Sequence, residues 1–253
     1  VSEKNLLHPV QAAMVKYHGS QCGFCTPGFI MSLFSMFKNY SKLKDEVIKD
    51  SIAGNLCRCT GYQPIIKAAK SLNNKNKIDA FYKNKKKTIS LLKKIGNESI
   101  AIYKKDKRYF APRYVSELKR ILKRNINSQL LSGGTDLSLL VTKNRKDINS
   151  TIYMNSIKEL NYIKKNKGYI EVGATTSLTD FEIYIKKYYP DFNKILKRYG
   201  STQIRNVATV AGNIATASPI GDNLPLLLAL DSEIVLQDIK KSKVISINDF
   251  FIS

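Results

Sequence analysis

All four cysteines of this 253-residue chain lie within its first 59 residues, where they form two pairs. Two residues separate Cys22 from Cys25, and after 31 more residues a single residue separates Cys57 from Cys59. Two disulfides are one interpretation, but they would leave the rest of the chain without a cross-link, and the first residues show no apolar signal core. The clustering therefore favours a metal centre in a reducing compartment, and we expect a cytoplasmic protein.

Four thiolates supplied by two loops can hold either a zinc ion or a [2Fe–2S] cluster. Zinc sites of this kind usually use two C-x2-C pairs, so the C-x-C pair fits zinc less well. Pro27 and Pro64 favour helices that begin beside each pair, and helix N-termini stabilise an anionic cluster. Nearby glycines would let backbone amides approach the sulfurs: Gly19, Gly23, Gly28, Gly54 and Gly61. These features favour the cluster and leave zinc as the alternative.

The first 72 residues predict four short helices, because apolar residues recur at helical spacing over residues 9–17, 26–37, 41–53 and 64–72. We expect Thr26 and Ser41 to cap the second and third helices. Gly19 and Gly54 are placed to end the first and third. The cysteines then fall in two connections that a four-helix bundle brings to one end.

The net charge of +22 raises the possibility of a nucleic-acid-binding protein. Residues 70–108 supply 13 Lys or Arg and 3 Asp or Glu, so +10 of the total lies in one lysine- and asparagine-rich stretch. We interpret this stretch as a solvated linker and expect no nucleic-acid partner. No apolar run reaches about 20 residues, so we also expect no membrane span.

From about residue 98 the pattern changes to mixed strands and helices. Strands are predicted at residues 129–131, 151–154, 169–174 and 233–237, and helices at 179–188, 191–199 and 224–230, the last of them buried. The fold class is therefore α+β and multidomain. We divide the chain into an all-α four-helix bundle (residues 1–72), a basic linker with a short amphipathic piece near its end (73–97) and an α+β domain (98–253).

Two motifs of the α+β domain are candidate cofactor loops. Residues 130–136 (LLSGGTD) follow a strand, and two glycines would let their amides form a nest for an anion. An ordinary strand-to-helix turn explains this motif equally well, and it is not a Rossmann fingerprint. Residues 203–222 (QIRNVATVAGNIATASPIGD) are rich in small and hydroxyl side chains, which suits a large flat cofactor or a loop that stabilises its own turns. We expect bulk at Gly133 or Gly212 to block the cofactor.

The cysteine motifs resemble the second cluster domain of the molybdenum hydroxylases. The resemblance rests on residues 18–28 (HGSQCGFCTPG) and 54–62 (GNLCRCTGY), in that order and at the family's spacing. It implies one [2Fe–2S] cluster bound by Cys22, Cys25, Cys57 and Cys59. It also implies that Gln21 faces the pterin of a molybdopterin-binding partner.

Residues 98–253 resemble the FAD domain that xanthine dehydrogenases share with related molybdenum hydroxylases. The resemblance implies that one set of residues cradles the FAD diphosphate: Leu130, Leu131, Ser132, Gly133, Gly134, Thr135 and Asp136. It implies a second wall formed by Thr209, Val210, Ala211, Gly212 and Asn213. Tyr199 matches an aromatic position beside the flavin ring, and Asp222 matches an acidic cofactor-binding position. The family's first cluster domain and the last part of its flavin domain have no counterpart, so we expect a fragment.

The resemblance implies the electron-transfer small subunit of a xanthine dehydrogenase-like enzyme. Electrons would pass from a molybdopterin site on a large partner subunit, where a purine is hydroxylated, through the cluster to FAD and on to NAD⁺. No catalytic acid, base or nucleophile is expected in this chain. Two alternatives remain: the same module in an aldehyde or other N-heterocycle hydroxylase, and a zinc-stabilised interaction module.

Overall fold

The computed structural model describes residue 2 and residues 6–73 and 78–251. The chain forms two compact units, residues 1–96 and 97–253. Among the described residues, no helix is both long enough and apolar enough to cross a bilayer.

Four helices of the first unit form the predicted bundle: α1 (Pro9–Lys16), α2 (Thr26–Asn39), α3 (Asp45–Ile52) and α4 (Gln63–Lys70). The central helix α2 packs on α1 and α3, while α4 contacts both of these. Apolar side chains from every helix meet in one buried core: Val10, Ala13, Met14, Phe29, Leu33, Met36, Phe37, Leu43, Ile48, Ile52, Ile65, Ala68, Ala69 and Leu72. The helical period of these residues therefore determines the bundle.

Three predicted helix ends differ from the structure. Cys25, not Thr26, occupies the N-cap of α2, because the Thr26 hydroxyl hydrogen-bonds Ser20 Oγ at 2.6 Å. Helix α3 begins after Lys44, so Ser41 caps nothing. His18, not Gly19, takes the left-handed conformation after α1, at φ 54°.

The end of α1 has the hydrogen bonds of a Schellman motif. His18 N–H donates to the carbonyl of Val15 at 3.1 Å, and Gly19 N–H donates to that of Met14 at 2.8 Å. A Cβ at Gly19 would lie 2.7 Å from the Met14 sulfur, so the end of the Met14 side chain would have to shift.

A fifth helix, α5 (Ala80–Lys93), lies in the segment predicted as a linker, and none of its residues is buried. Asp79 caps it by accepting from the amide of Tyr82 at 2.8 Å. The same carboxylate accepts from Lys38 Nζ at 2.8 Å and lies 3.1 Å from His8 Nε2. Phe81 also meets Phe34 edge-on, at 5.1 Å between ring centroids. The start of α5 is thus attached to the bundle.

The second unit opens with a four-stranded sheet, in the order β1-β2-β4-β3. Its strands are β1 (Ile100–Lys104), β2 (Lys107–Ala111), β3 (Gln129–Leu131) and β4 (Ser150–Tyr153). Strands β1 and β2 form an antiparallel hairpin, while β4 runs parallel to both β2 and β3. Helices α6 (Val115–Arg124) and α7 (Leu137–Thr142) connect the parallel strands. Phe110, Leu118, Ile152 and Ile157 form a small core on this sheet.

From residue 154 to residue 251, the unit contains two antiparallel hairpins and five α-helices. The strands are β5 (Ile163–Lys165), β6 (Ile170–Val172), β7 (Glu233–Gln237) and β8 (Ser242–Ser246). The helices are α8 (Leu178–Ile185), α9 (Pro190–Arg198), α10 (Thr202–Arg205), α11 (Val210–Ala215) and α12 (Asn223–Ala229). Two single 3-10 turns complete the unit, Lys158–Leu160 and Ile247–Asp249. Their shared core is Leu178, Phe181, Ile185, Phe192, Leu196, Ala208, Val210, Leu227 and Ile247.

All seven predicted elements of this unit are present, but other elements were missed. Strands β1, β2, β5 and β8 and helix α6 were not predicted, because lysine and arginine lie among their apolar residues. Helices α7, α10 and α11 were not predicted because they are too short, at four to six residues, to show a helical period. Residues 224–230 were predicted to form a buried helix, but only part of this helix is buried. Leu227 is buried, whereas Leu228 and Leu230 are exposed.

Replacing Asp79 by Ala should release α5 from the bundle, because one carboxylate serves as helix cap and as partner of Lys38 and His8. We expect a loss of about 1–3 kcal/mol in unfolding free energy and faster amide exchange along α5. Burial opposes ionisation of Asp79, but hydrogen bonds from Lys38, Tyr82 and His8 lower its pKa below the ordinary value. The stabilisation is therefore present above the unfolded pKa and is lost as pH falls through the lower folded pKa.

Asp45→Ala is the matched control, since its carboxylate forms an exposed ion pair with Lys70. Exposed pairs contribute about 0–1 kcal/mol, and this change should leave α5 exchange unaltered. Equal α5 protection in the parent and in Asp79→Ala would contradict the assigned role.

Candidate cofactor sites

The cysteines lie in two connections at one end of the bundle. The first cysteine loop (residues 17–25) joins α1 to α2, and the second (residues 53–62) joins α3 to α4. The sulfurs of Cys22 and Cys59 lie 3.6 Å apart. Cys25 in turn interacts with Cys57 through a side-chain hydrogen bond. Each close pair thus takes one cysteine from each loop.

The thiols differ in how easily they ionise. Thr60 donates to the Cys57 sulfur from its hydroxyl at 3.2 Å and from its amide at 3.5 Å, and these bonds lower the pKa of Cys57 to about 7. Burial and the hydrogen bond with Cys57 raise the pKa of Cys25. The hydrogen bond with Cys22 raises the pKa of Cys59. Since the thiolate is the ligand form, Cys57 is the thiol best prepared to bind metal.

Three residues outside the cysteine set support the second loop. Tyr62 accepts from the Cys57 amide at 3.0 Å and adopts a left-handed conformation, with φ 67°. Asn55 donates to Ser32 of α2 at 2.8 Å, and a Cβ on Gly28 would lie 2.7 Å from the Asn55 amide oxygen. Gly28 is therefore small so that the second loop can approach α2. Sequence reasoning did not assign roles to Asn55, Thr60 or Tyr62, although all three lie in or beside the quoted motifs.

Two thiol pairs fit a [2Fe–2S] cluster, in which each iron takes two thiolates. A structural zinc ion instead needs four ligands around one centre. Within residues 6–73 and 78–251, no group of three or more His, Cys, Asp or Glu side chains is already arranged to hold a metal ion. Gln21 is exposed on the first loop, beside Cys22. The donor set is thus compatible with the cluster.

Residues 130–136 are called the first flavin motif, and residues 203–222 the second. The first flavin motif forms the turn between β3 and α7. Within the described part of the chain, the amides of Gly133, Gly134 and Thr135 donate no hydrogen bond. Gly134 has a left-handed φ of 72°, and Ser132 donates to Asn155 at 2.6 Å. Such free amides suit an anion such as a diphosphate. Asp136 precedes α7 without a side-chain capping bond, and Leu130 and Leu131 belong to β3.

Gly133 brings the two flavin motifs into contact. A Cβ at Gly133 would lie 2.1 Å from the carbonyl oxygen of Val207 and 2.8 Å from the Cα of Ala208. At Gly212 a Cβ would meet the Thr209 hydroxyl at 2.8 Å. We expected both glycines to be small because of the cofactor, whereas the structure gives a packing reason for each.

The second flavin motif is anchored at Thr209. Its hydroxyl caps α11 by accepting from the amide of Gly212 at 3.1 Å, and Thr209 bridges to Ser177. The amide of Val210 donates to Thr176 at 3.1 Å. Ala211 and Asn213 follow on α11, so the five predicted residues form one helix start.

Tyr199, Asn213 and Asp222 converge from separate segments. The Tyr199 hydroxyl accepts from the Asn213 amide at 2.9 Å. Burial and the negative charge of Asp222 raise the pKa of Tyr199, while the bond from Asn213 opposes them. Asn223, which sequence reasoning missed, donates to Asn213 at 3.0 Å. Its proximity in sequence to Asp222 was the available signal.

A comparison with protein families matches two segments of the chain. Residues 102–253 match the FAD binding domain in molybdopterin dehydrogenase, and residues 1–70 match the [2Fe-2S] binding domain. The chain belongs to the molybdopterin dehydrogenase family. It carries a cluster-binding domain followed by a flavin-binding domain, which confirms the resemblance inferred from the motifs.

Curated members of the wider family include xanthine dehydrogenases of fungi and plants. That of Emericella nidulans is 28% identical over 96% of this chain, and xanthine dehydrogenase 1 of Arabidopsis thaliana is 30% identical over 97%. The chain covers 22% and 23% of these two relatives, less than a quarter of their length.

Among solved structures, the flavin-domain fold is shared with two oxidoreductases. A carbon monoxide dehydrogenase from Hydrogenophaga pseudoflava, in a form that lacks the Mo-pyranopterin moiety, gives a TM-score of 0.55 at 25% identity, over 60% of this chain and 54% of that one. Quinoline 2-oxidoreductase from Pseudomonas putida 86 gives a TM-score of 0.52 at 21% identity, over 56% of this chain and 50% of that one. The second similarity concerns the fold alone.

Replacing Thr60 by Val should raise the pKa of Cys57 toward that of an ordinary thiol. At pH 7 the thiolate fraction of the metal-free chain should fall about fivefold for each unit of increase near that pH, and alkylation of Cys57 should slow accordingly. Mass spectrometry of alkylated peptides measures the rate at each cysteine. Thr88→Val on α5 is the control, and an unchanged Cys57 rate in Thr60→Val would refute the assignment.

Replacing Gly133 by Ala should force the two flavin motifs apart. Overpacking of this kind costs about 1–3 kcal/mol or more, and it should weaken FAD binding as well. Gly168→Ala is the matched control because its Cβ would meet nothing within 4 Å, although its φ of 91° carries some strain. Denaturant titrations of both variants, which should differ clearly in midpoint, provide the measurement.

Proposed function

We propose that this chain is the electron-transfer module of a xanthine dehydrogenase-like molybdenum hydroxylase that works in the cytoplasm. Electrons would enter from a molybdopterin site on a large partner subunit and leave from FAD to NAD⁺. The observation that carries the proposal is one chain with two cross-loop thiol pairs and a matching flavin domain.

In this proposal the chain's residues bind cofactors and adjust their environment. Cys22, Cys25, Cys57 and Cys59 hold the [2Fe–2S] cluster, and Thr60 donates to one of the ligating sulfurs. Hydrogen bonds to ligating sulfur adjust a cluster's potential. When bound, the cluster exchanges single electrons and FAD converts them to hydride chemistry.

The flavin site is assigned to the same residues that the resemblance implied. Residues 130–136 hold the diphosphate through the free amides of Gly133, Gly134 and Thr135. Thr209 to Asn213 form the second wall, Tyr199 lies beside the ring, and Asp222 contacts the cofactor. The contact of Gly133 with Val207 supports one continuous site, since it joins the two motifs.

The cysteine loops form the proposed docking surface for the large subunit. Phe24 is 94% exposed and Leu56 is 82% exposed, so each cysteine loop presents an apolar side chain beside its cysteines. An open groove adjoins the first loop and is lined by Gln11, Ser20, Gly23, Thr26, Pro27, Ile30 and Met31. Exposed apolar patches beside a redox centre are typical of subunit interfaces. Gln21 would then face the pterin.

A purine is the favoured substrate because the xanthine dehydrogenases match 96–97% of this chain. An aldehyde or another N-heterocycle is the second candidate.

Co-expression of this chain with a molybdopterin-binding large subunit tests the proposal. The purified complex should reduce NAD⁺ with xanthine, whereas this chain alone should not. Gln21→Ala should slow flavin reduction by xanthine and leave flavin reduction by NADH largely unchanged. Turnover of aldehydes without purines would favour the second candidate, and no turnover of any hydroxylase substrate would contradict the function.

The docking surface has its own test. Phe24→Asp should weaken assembly with the large subunit, because a charge would replace an apolar contact in the buried interface. Leu91→Asp, at an exposed apolar position of α5, is the matched control and should assemble normally. Analytical ultracentrifugation of both variants measures the association. If both variants assemble equally well with the large subunit, Phe24 does not belong to the interface.

A further inference from the structure

Three polar side chains form a directed relay inside the flavin unit. Asn223 Nδ2 donates to Asn213 Oδ1 at 3.0 Å, and Asn213 Nδ2 donates to the Tyr199 hydroxyl at 2.9 Å. Asn223 is 1% exposed and Asn213 is 9% exposed, so water does not compete with these bonds. Tyr199 at the end of the relay is only partly buried.

The first bond of the relay determines the direction of the second. A primary amide has one oxygen and one NH₂ group. Because Asn223 occupies the oxygen of Asn213, the NH₂ group of Asn213 must face Tyr199. The phenol oxygen then accepts, and among the described residues no acceptor takes the phenol proton, since Asp222 acts on Tyr199 only through its charge. That proton is available to a group outside the chain.

The backbone of Tyr199 is held as well as its hydroxyl. Arg205 is 2% exposed and donates from Nη1 to the carbonyls of Tyr199 at 3.0 Å and Lys197 at 3.2 Å. The Arg205 guanidinium lies 3.6 Å from the Glu182 carboxylate, which fixes its orientation. Tyr199 is therefore fixed at both ends.

Asn223 lowers the stability of the fold, which a residue with a purely structural role would not do. Its Oδ1 is buried and has no hydrogen-bond partner among the described residues. A buried acceptor without a partner destabilises the fold, whereas leucine at this position would bury no polar atom. Proteins keep a destabilising residue of this kind where it serves a function, and here that function is the hydrogen bond that the Asn223 NH₂ group donates.

We propose that Asn223 is a positioning residue, which orients Asn213 so that the Tyr199 hydroxyl donates its proton toward the bound flavin. The inference rests on the proposed flavin site and adds a residue to it. Asn223→Leu removes the donor, so the Asn213 amide can turn and accept from Tyr199. The phenol proton would then point into the protein and the flavin would lose a hydrogen bond.

The first measurement needs no cofactor. The full chain is labelled with tyrosine carrying ¹³C at Cζ, and the Tyr199 signal is the one that Tyr199→Phe removes. Asn223→Leu should shift this signal, because the phenol changes from acceptor to donor. Asn161→Leu, the same substitution at an exposed asparagine of the same unit, should leave it in place.

The second measurement is FAD affinity of the full chain by fluorescence titration. Losing one hydrogen bond should weaken binding by about fivefold to tenfold in Asn223→Leu. In the Tyr199→Phe background the same substitution should have little effect, since the hydroxyl is already gone. A residue that only supports the fold would weaken binding equally in both backgrounds. Asn223→Ala serves in the same cycle if the leucine variant does not fold.

The outcomes separate the two claims. A shifted Tyr199 signal together with a hydroxyl-dependent loss of affinity supports the relay. An unchanged signal, or an equal loss in both backgrounds, overturns it. If the parent chain binds no FAD, the proposed function is wrong, and so is the proposed hydrogen bond from Tyr199 to the flavin. The tyrosine signal then still decides whether Asn223 orients Asn213.

Discussion

The arrangement of the first unit depends on bringing two cysteine loops to sulfur–sulfur contact across one end of a bundle. The 3.6 Å separation of Cys22 and Cys59 requires that the loop before α2 and the loop before α4 lie at the same end of the bundle. Phe29, Leu33 and Ile65, on these two helices, are buried in the core that all four helices share. Every later function of the unit requires this contact, because thiols on separated loops cannot share a cluster.

The flavin unit solves a similar problem with backbone contact. Gly133 lets the turn after β3 touch Val207, so two motifs that lie far apart in sequence come into contact. Among the described residues, the amides of Gly133, Gly134 and Thr135 donate no hydrogen bond, while Thr209 caps the helix of the second motif. In the proposed flavin site the first motif would receive the anionic diphosphate, and the second would supply a fixed wall.

The sequence predicted the four-helix bundle, the cysteine loops and seven of the helices and strands of the flavin unit, because each of these has a strong local signature. Cysteine spacing and helical periodicity are local patterns, and both remain recognisable although the chain is unusually rich in lysine. Tertiary competition explains the failures: the Thr26 hydroxyl binds Ser20 instead of capping its helix, and Asp79 anchors a helix inside a segment that its charge marked as a linker. Asn223 was missed because its role depends on two residues distant in sequence. Periodicity cannot reveal such a contact.

Spectroscopy of the iron centre tests the central claim most directly. The chain should be purified without oxygen after expression with iron, and then analysed for iron, labile sulfide and zinc. The account predicts about two irons and two sulfides per chain. It also predicts a paramagnetic signal after one-electron reduction, and loss of most of that signal when any of Cys22, Cys25, Cys57 or Cys59 is replaced by Ser. One zinc per chain without labile sulfide would contradict it.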